Sequence, residues 1–171
     1  MVEGEIFMGY KFLLADETKL DEIVDLIIER IKWMDRVGIK QWNVTNYMEA
    51  YPKQYYQRQI NERRLYVIVD DSKVIAAVVL LEEDDRWDDD VSAYYLHNFV
   101  TDTNVKGVGK KMLEFVENLA RENSKSKLRL DCAEDNEFLN NYYENQGYNL
   151  VGKCEEGLYK GNKREKNLAI G

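Results

Sequence analysis

Asn104-Val105-Lys106-Gly107-Val108-Gly109-Lys110-Lys111-Met112-Leu113 joins a run that reads as a strand, Ala93 to Thr101, to a strongly patterned amphipathic helix through two glycines one residue apart. A helix start carries N–H groups without intrahelical partners and a partial positive charge, and glycine lets an anionic group approach that backbone closely. The stretch therefore suits a phosphate or pyrophosphate. An isolated G-x-G is more often a ligand-free turn, so the flanks must decide. Val108, Met112, Phe115, Val116 and Leu119 give the helix its apolar stripe, and Lys127-Leu128-Arg129-Leu130-Asp131 alternates as a short strand beyond it. One crossover helix makes the two strands parallel. The glycine turn then lies at the carboxyl end of the first strand, where open α/β sheets bind ligands.

Upstream, Tyr10 to Leu14 reads as a strand, and Thr18-Lys19-Leu20-Asp21 has a capping-box-like spacing that opens a helix. Leu20, Ile23, Val24, Ile27, Ile28, Ile31 and Met34 form its stripe, Arg36 lies in its last turn and Gly38 suits the position that ends it. Ile39 to Tyr56 is rich in large rings, among them Trp42, Tyr47, Tyr51, Tyr55 and Tyr56, which pack a core, cover a surface or line an acceptor pocket. Pro52 fits the first turn of a second helix running to about Arg64. Leu65 to Val69 and Val74 to Leu81 flank Asp70-Asp71-Ser72-Lys73 as a hairpin, and the second strand, apolar throughout, predicts helices on both faces of the sheet. Glu82 to Asp90 carries seven acids and reads as a solvated loop, with steering of a cation as its alternative use. A helix from about Asn136 to Gln146 ends at Gly147, followed by strands near Tyr148 to Glu155 and Leu158 to Asn167.

Bulk properties narrow the class. At 171 residues and 44% hydrophobic composition, the chain fits one globular domain, residues 1–171. A net charge of −8 with scattered Lys and Arg argues against nucleic acid, and Lys160, Lys163, Arg164 and Lys166 read as a solvated strand and turn. Acidity suits a cationic substrate, or simply solubility. Two cysteines without C-x-x-C spacing and with no signal peptide before them point to free thiols in a reducing cytoplasm. A single histidine leaves no zinc constellation, and no metal is expected. Apolar runs fall short of the roughly 20 residues that span a membrane.

The order strand, Asn104-Val105-Lys106-Gly107-Val108-Gly109, amphipathic helix, strand, then Asn136 with Tyr143 and Gly147-Tyr148 resembles the GCN5-related N-acetyltransferase (GNAT) superfamily. That family's pyrophosphate motif is Q/R-x-x-G-x-G/A, followed downstream by N-x-x-x-x-x-x-Y-x-x-x-G-[FY]. Asn136, Tyr143, Gly147 and Tyr148 meet the second pattern at matching spacing, whereas Asn104 stands where the family has Gln or Arg. The resemblance is close from Ala93 to Val151 and looser before it. It implies an α/β fold, with a mixed, mostly antiparallel central sheet flanked by helices on both faces and a parallel β-α-β unit at the cofactor site.

The resemblance also implies a cradle for acetyl-CoA. Backbone N–H groups from Val105 through Val108 to Lys110 would meet the pyrophosphate, Lys110 or Lys106 would add charge, and Asn136 would hydrogen-bond the pantetheine arm. Phe99, Val100 or Thr101 would supply the backbone groups that pair with pantetheine and polarise the thioester carbonyl. Tyr143 would donate to the departing thiolate, unless it is simply a packed helix tyrosine. His97, the sole histidine, is the residue-based candidate for the base, with a purely structural role as its alternative and Glu82 and Glu83 as substitutes through water. The acceptor would be a primary amine of a small molecule or peptide attacking directly in a ternary complex. An acyl-CoA sensor or interaction module, or a domain for another nucleotide, are the competing readings. Tyrosines and an apolar C-terminal edge would permit a homodimer.

Overall fold

The computed structural model describes residues 5–7 and 9–168. Its strands are β1 (Glu5–Phe7), β2 (Tyr10–Leu14), β3 (Leu65–Asp70), β4 (Lys73–Leu81), β5 (Ala93–Thr101), β6 (Lys127–Ala133), β7 (Asn149–Glu156) and β8 (Tyr159–Asn167). They form one sheet in the order β1-β2-β3-β4-β5-β6-β8-β7, antiparallel at every junction except β5 with β6. Helices α1 (Leu20–Val37), α2 (Tyr47–Ala50), α3 (Lys53–Asn61), α4 (Val108–Glu122) and α5 (Glu137–Asn145), with 3-10 turns at Glu17–Lys19 and Trp42–Val44, complete the described elements. The mixed, mostly antiparallel sheet with one parallel β-α-β unit is the fold expected from the sequence.

β4 is buried from Val74 to Leu80 because both of its faces are covered. Strand periodicity sends Ala76, Val78 and Leu80 into a core with Met112, Val116 and Leu119 of α4, where Phe12 stacks on Phe115 at 5.2 Å. Ala77 and Val79 join Ile23 and Ile27 of α1 and Tyr56 and Ile60 of α3 on the other face. Gly38 ends α1 at φ 77, with its N–H on the Met34 carbonyl. Among the described residues no helix is long and apolar enough to cross a membrane.

Three local expectations change. The Asp16 carboxylate, not Thr18, caps the first helical segment by accepting the Thr18 N–H at 2.9 Å, and a 3-10 turn (Glu17–Lys19) leads into α1. Asp offers the stronger acceptor immediately ahead of the turn. Pro52 occupies the N-cap of α3 instead of its first turn, leaving Tyr51 non-helical and splitting off α2, and α3 stops at Asn61, short of Arg64. Arg164 is not solvated. It is buried under α5 and donates to Asn140, Glu144 and the Tyr148 carbonyl, stapling β8 to that helix.

Met112 is fully buried where α4 meets the sheet. Met112→Ala is expected to cost about 2–5 kcal/mol, read from urea unfolding with an unchanged slope.

Candidate active site

The parallel ladder pairs Ala93 with Lys127, Tyr94 with Leu128 and Tyr95 with Arg129, then stops, although β5 continues to Thr101 and β6 to Ala133. The break begins beside a bulge. Val79 faces His97 and Ala77 faces Val100, so Asn98 and Phe99 together oppose Val78, and Asn98 takes φ 53. Asparagine tolerates this left-handed conformation better than β-branched or bulky residues. Its side chain is held from the aromatic segment: Tyr55 Oη donates to Oδ1 at 2.8 Å and Nδ2 donates to Tyr47 Oη. Between the parted strands lies a cleft of about 700 Å³.

His97, Phe99, Val100, Thr101, Val105, Gly107, Gly109, Lys110, Asn136 and Tyr143 all line this cleft. Asn104 and Lys106 are exposed outside its lining, and Val108 is buried in the core with the α4 stripe. Gly107 stands at the N-cap of α4 with φ 80, no side chain caps the helix, and nothing lies within 4 Å of where its Cβ would be. Its requirement is therefore conformational. At Gly109 a Cβ would only make ordinary van der Waals contact, with Tyr142 Oη at 3.4 Å and Thr101 Cγ2 at 3.7 Å, so space does not demand glycine there. The N–H of Val105 closes a turn onto the Asp102 carbonyl at 3.1 Å, so the open donors begin later than the expected Val105. Arg30 of α1 donates through Nη2 to the Thr101 carbonyl at 2.9 Å and to its hydroxyl at 2.8 Å, fixing the strand end beside the glycine turn.

On the opposite wall, Asn136 is the N-cap of α5: Oδ1 accepts the Leu139 N–H at 3.0 Å while Nδ2 donates to Gln41 Oε1 at 3.0 Å. The resemblance assigns this amide to a ligand, yet both of its ends already have protein partners. Tyr143 is buried, in edge-to-face contact with Tyr142 and Tyr148 at ring distances of 5.5 and 5.8 Å. Burial first, then neighbouring Cys132, pushes its hydroxyl well above the usual tyrosine range, so it remains a neutral donor.

At the far end His97 Nε2 lies 2.7 Å from Asp84 Oδ2. Burial alone would push the Asp84 carboxyl up, but the hydrogen bonds from His97 and the Arg86 N–H hold it below its ordinary value. The segment Glu82 to Asp90 is the largely exposed loop expected, tied down as a strap at Asp84, Arg86 and Asp89. Arg86 pairs with Asp131 at 3.0 Å and with Glu156, Lys163 donates to the Arg86 carbonyl at 2.7 Å, and Asp89 accepts from buried Arg129 at 2.8 Å. A buried guanidinium must find carboxylates, and this segment supplies one. Exposed Glu82, bound to Lys125, and exposed Glu83 both border a second cleft that opens on His97. Among the described residues no group of His, Cys, Asp and Glu could hold a metal ion.

The acetyltransferase (GNAT) family profile matches residues 36–148. The chain belongs to the acetyltransferase (GNAT) family. Over 77 residues it is 29% identical to YesJ of Bacillus subtilis (strain 168), an uncharacterized N-acetyltransferase, the match spanning 43% of this chain and 43% of YesJ. The fold superposes at TM-score 0.77 on a GNAT-family acetyltransferase from Listeria monocytogenes 4b F2365, 25% identical, over 97% of this chain and 100% of that one. PaiA N-acetyltransferase from Thermoplasma acidophilum, whose structure is a complex with coenzyme A, shares the fold at TM-score 0.72 and 16% identity, over 94% and 99% of the two chains.

Arg30, Gln41 and Asn98 of this GNAT cleft, and Asp84 beside it, escaped the sequence reading. Asn98 carried a usable signal, a poor strand former inside His97-Asn98-Phe99. Arg30, Gln41 and Asp84 carried none, because their partners Thr101, Asn136 and His97 are distant in sequence or hidden by a run of similar acids. Asn98→Val would place a β-branched residue at φ 53 and remove both tyrosine hydrogen bonds, for an expected loss of about 2–4 kcal/mol. Asn98→Gly keeps the backbone and should lose clearly less in the same urea titration.

Proposed function

We propose that the protein is an acetyl-CoA-dependent N-acetyltransferase, residues 1–171 acting as one domain, that acetylates a primary amine of a small molecule or peptide in a ternary complex. The observation that carries this reading is the parting of β5 from β6 directly above the uncapped start of α4. An anionic, extended co-substrate fits there. Its pyrophosphate would take the first-turn N–H groups of α4, with Lys110 in the lining adding charge, and its arm would follow the edge that β5 no longer shares with β6. The complex of PaiA, a protein of the same fold, with coenzyme A supports coenzyme A as the ligand.

Bound acetyl-CoA supplies the activated acetyl group, and the chain positions it and handles protons. A β5 backbone N–H near Phe99 and Val100 polarises the carbonyl as negative charge develops. Tyr143 hydrogen-bonds the leaving sulfur. Its raised pKa makes it a persistent donor more than a strong acid, which suits partial proton transfer to a thiolate. His97, in the same cleft, takes the proton of an acceptor that arrives as an ammonium.

Thiol release from acetyl-CoA with polyamines, amino acids, aminoglycosides and peptides tests the activity. Tight coenzyme A binding without turnover on any amine would instead favour an acyl-CoA-binding module. Gly107→Val imposes about 1–2 kcal/mol of left-handed strain where the donors must align. Titration calorimetry should show coenzyme A affinity reduced by roughly tenfold or more, and unchanged affinity would refute the cradle. Tyr143→Phe is expected to lower kcat roughly 10- to 100-fold with the acetyl-CoA KM little changed. Equal turnover with every accepted amine would remove Tyr143 from the mechanism.

A further inference from the structure

We propose that Asp84 is a positioning residue for His97, so that the acidic β4–β5 connection is part of the proton-transfer apparatus. The proposal rests on the reading of His97 as the acceptor's base. Asp84 stands apart from its acidic neighbours: its side chain is 7% exposed, against 66% for Glu82 and 42% for Asp89. Both of its oxygens are committed. Oδ1 accepts the Arg86 N–H at 2.9 Å, and Oδ2 faces His97 Nε2 at 2.7 Å. The Asp84 carbonyl accepts the Trp87 N–H at 3.0 Å, closing the turn that aims the carboxylate.

That turn is itself immobilised. Arg86 reaches Asp131 on β6 and Glu156 on β7, Lys163 of β8 holds its carbonyl, and Asp89 is bound by Arg129. The strap therefore delivers one ionised carboxylate to one ring nitrogen with little freedom to turn away.

An ionised carboxylate can only accept, so the neutral ring must carry its proton on Nε2, which leaves the lone pair on Nδ1. In the step proposed, an N–H bond of the acceptor ammonium breaks and an Nδ1–H bond forms. The electron pair stays on the amine nitrogen for attack on the acetyl carbon. The imidazolium so created lies against Asp84, which stabilises the charge without taking the proton, and the proton later leaves to solvent.

As the sole histidine, His97 gives a single set of ring-nitrogen signals in the intact protein. Nitrogen NMR of the unmodified protein at a pH where the ring is neutral should show the Nε2-protonated tautomer, and Asp84→Asn should shift the tautomer balance. A ring protonated on Nδ1 in the unmodified protein overturns the proposal, whether or not any variant folds. In turnover, Asp84→Asn is expected to lower kcat roughly 10- to 100-fold, a part of the 10²–10⁴ that a positioned base contributes, with the acetyl-CoA KM unchanged and Asp84→Glu recovering part of the rate. Should His97→Gln abolish turnover while Asp84→Asn keeps full kcat, the positioning role fails and the base stands. Should His97→Gln keep full kcat, the base reading fails first.

Discussion

A backbone dihedral at one asparagine governs this structure. Continuous pairing of β5 with β6 would close the sheet and leave no cleft, since both strands run on past their last shared pair, Tyr95 with Arg129. The bulge at Asn98 turns β5 away, and β5 cannot drift back because β4, its other neighbour, is clamped by α4 on one face and by α1 and α3 on the other. Parting strands leaves backbone donors and acceptors without a ladder, a cost in free energy that Arg30 offsets at the Thr101 carbonyl and that a ligand or water can offset elsewhere. The core is thus used to hold open a gap that the local chain would otherwise close.

The aromatic segment takes part in that constraint. Trp42, Tyr47, Tyr51 and Tyr55 form a chain of ring contacts between 4.4 and 4.9 Å, and its members Tyr47 and Tyr55 reach Asn98. Core packing, surface cover and pocket lining were alternatives for these rings in the sequence. The structure assigns several at once: Tyr56 is core, Tyr47 and Tyr55 lock the bulge, and Trp42, Tyr47 and Tyr51 line the cleft. The acidic segment similarly gains meaning from its partners. Asp89 answers the buried Arg129, Glu82 pairs with Lys125, and the segment's own Arg86 reaches Asp131.

What was legible in the sequence was local chemistry. The α4 stripe, the glycine turn and the hairpin express backbone preferences within a few residues and appear where those preferences place them, whereas the spacing of Asn136, Tyr143 and Gly147 was legible only through the family resemblance. Pairings across the chain were not legible. The Arg30 contact to Thr101 spans 71 residues and the Asn136 contact to Gln41 spans 95, and neither leaves a periodicity at either end. Asp84 shows the limit most clearly. Among seven acids in nine positions nothing marks one as the buried one, because what selects it is the place of His97 on the neighbouring strand.

In the proposed mechanism the two ends of the cleft are prepared for opposite charges. Around the glycine turn stand the open start of α4, Lys110 and Arg30, all favouring an anion. At the other end Asp84, Asp131 and Glu156 outnumber Arg86, favouring a cation. Between them stand a neutral phenol, kept protonated by burial at Tyr143, and an imidazole set against a carboxylate, the first placed as donor and the second as acceptor. Strand divergence provides the room, but this gradient gives the reaction its direction: the amine must lose its proton at the acidic end before its lone pair can reach a carbonyl held from the basic one.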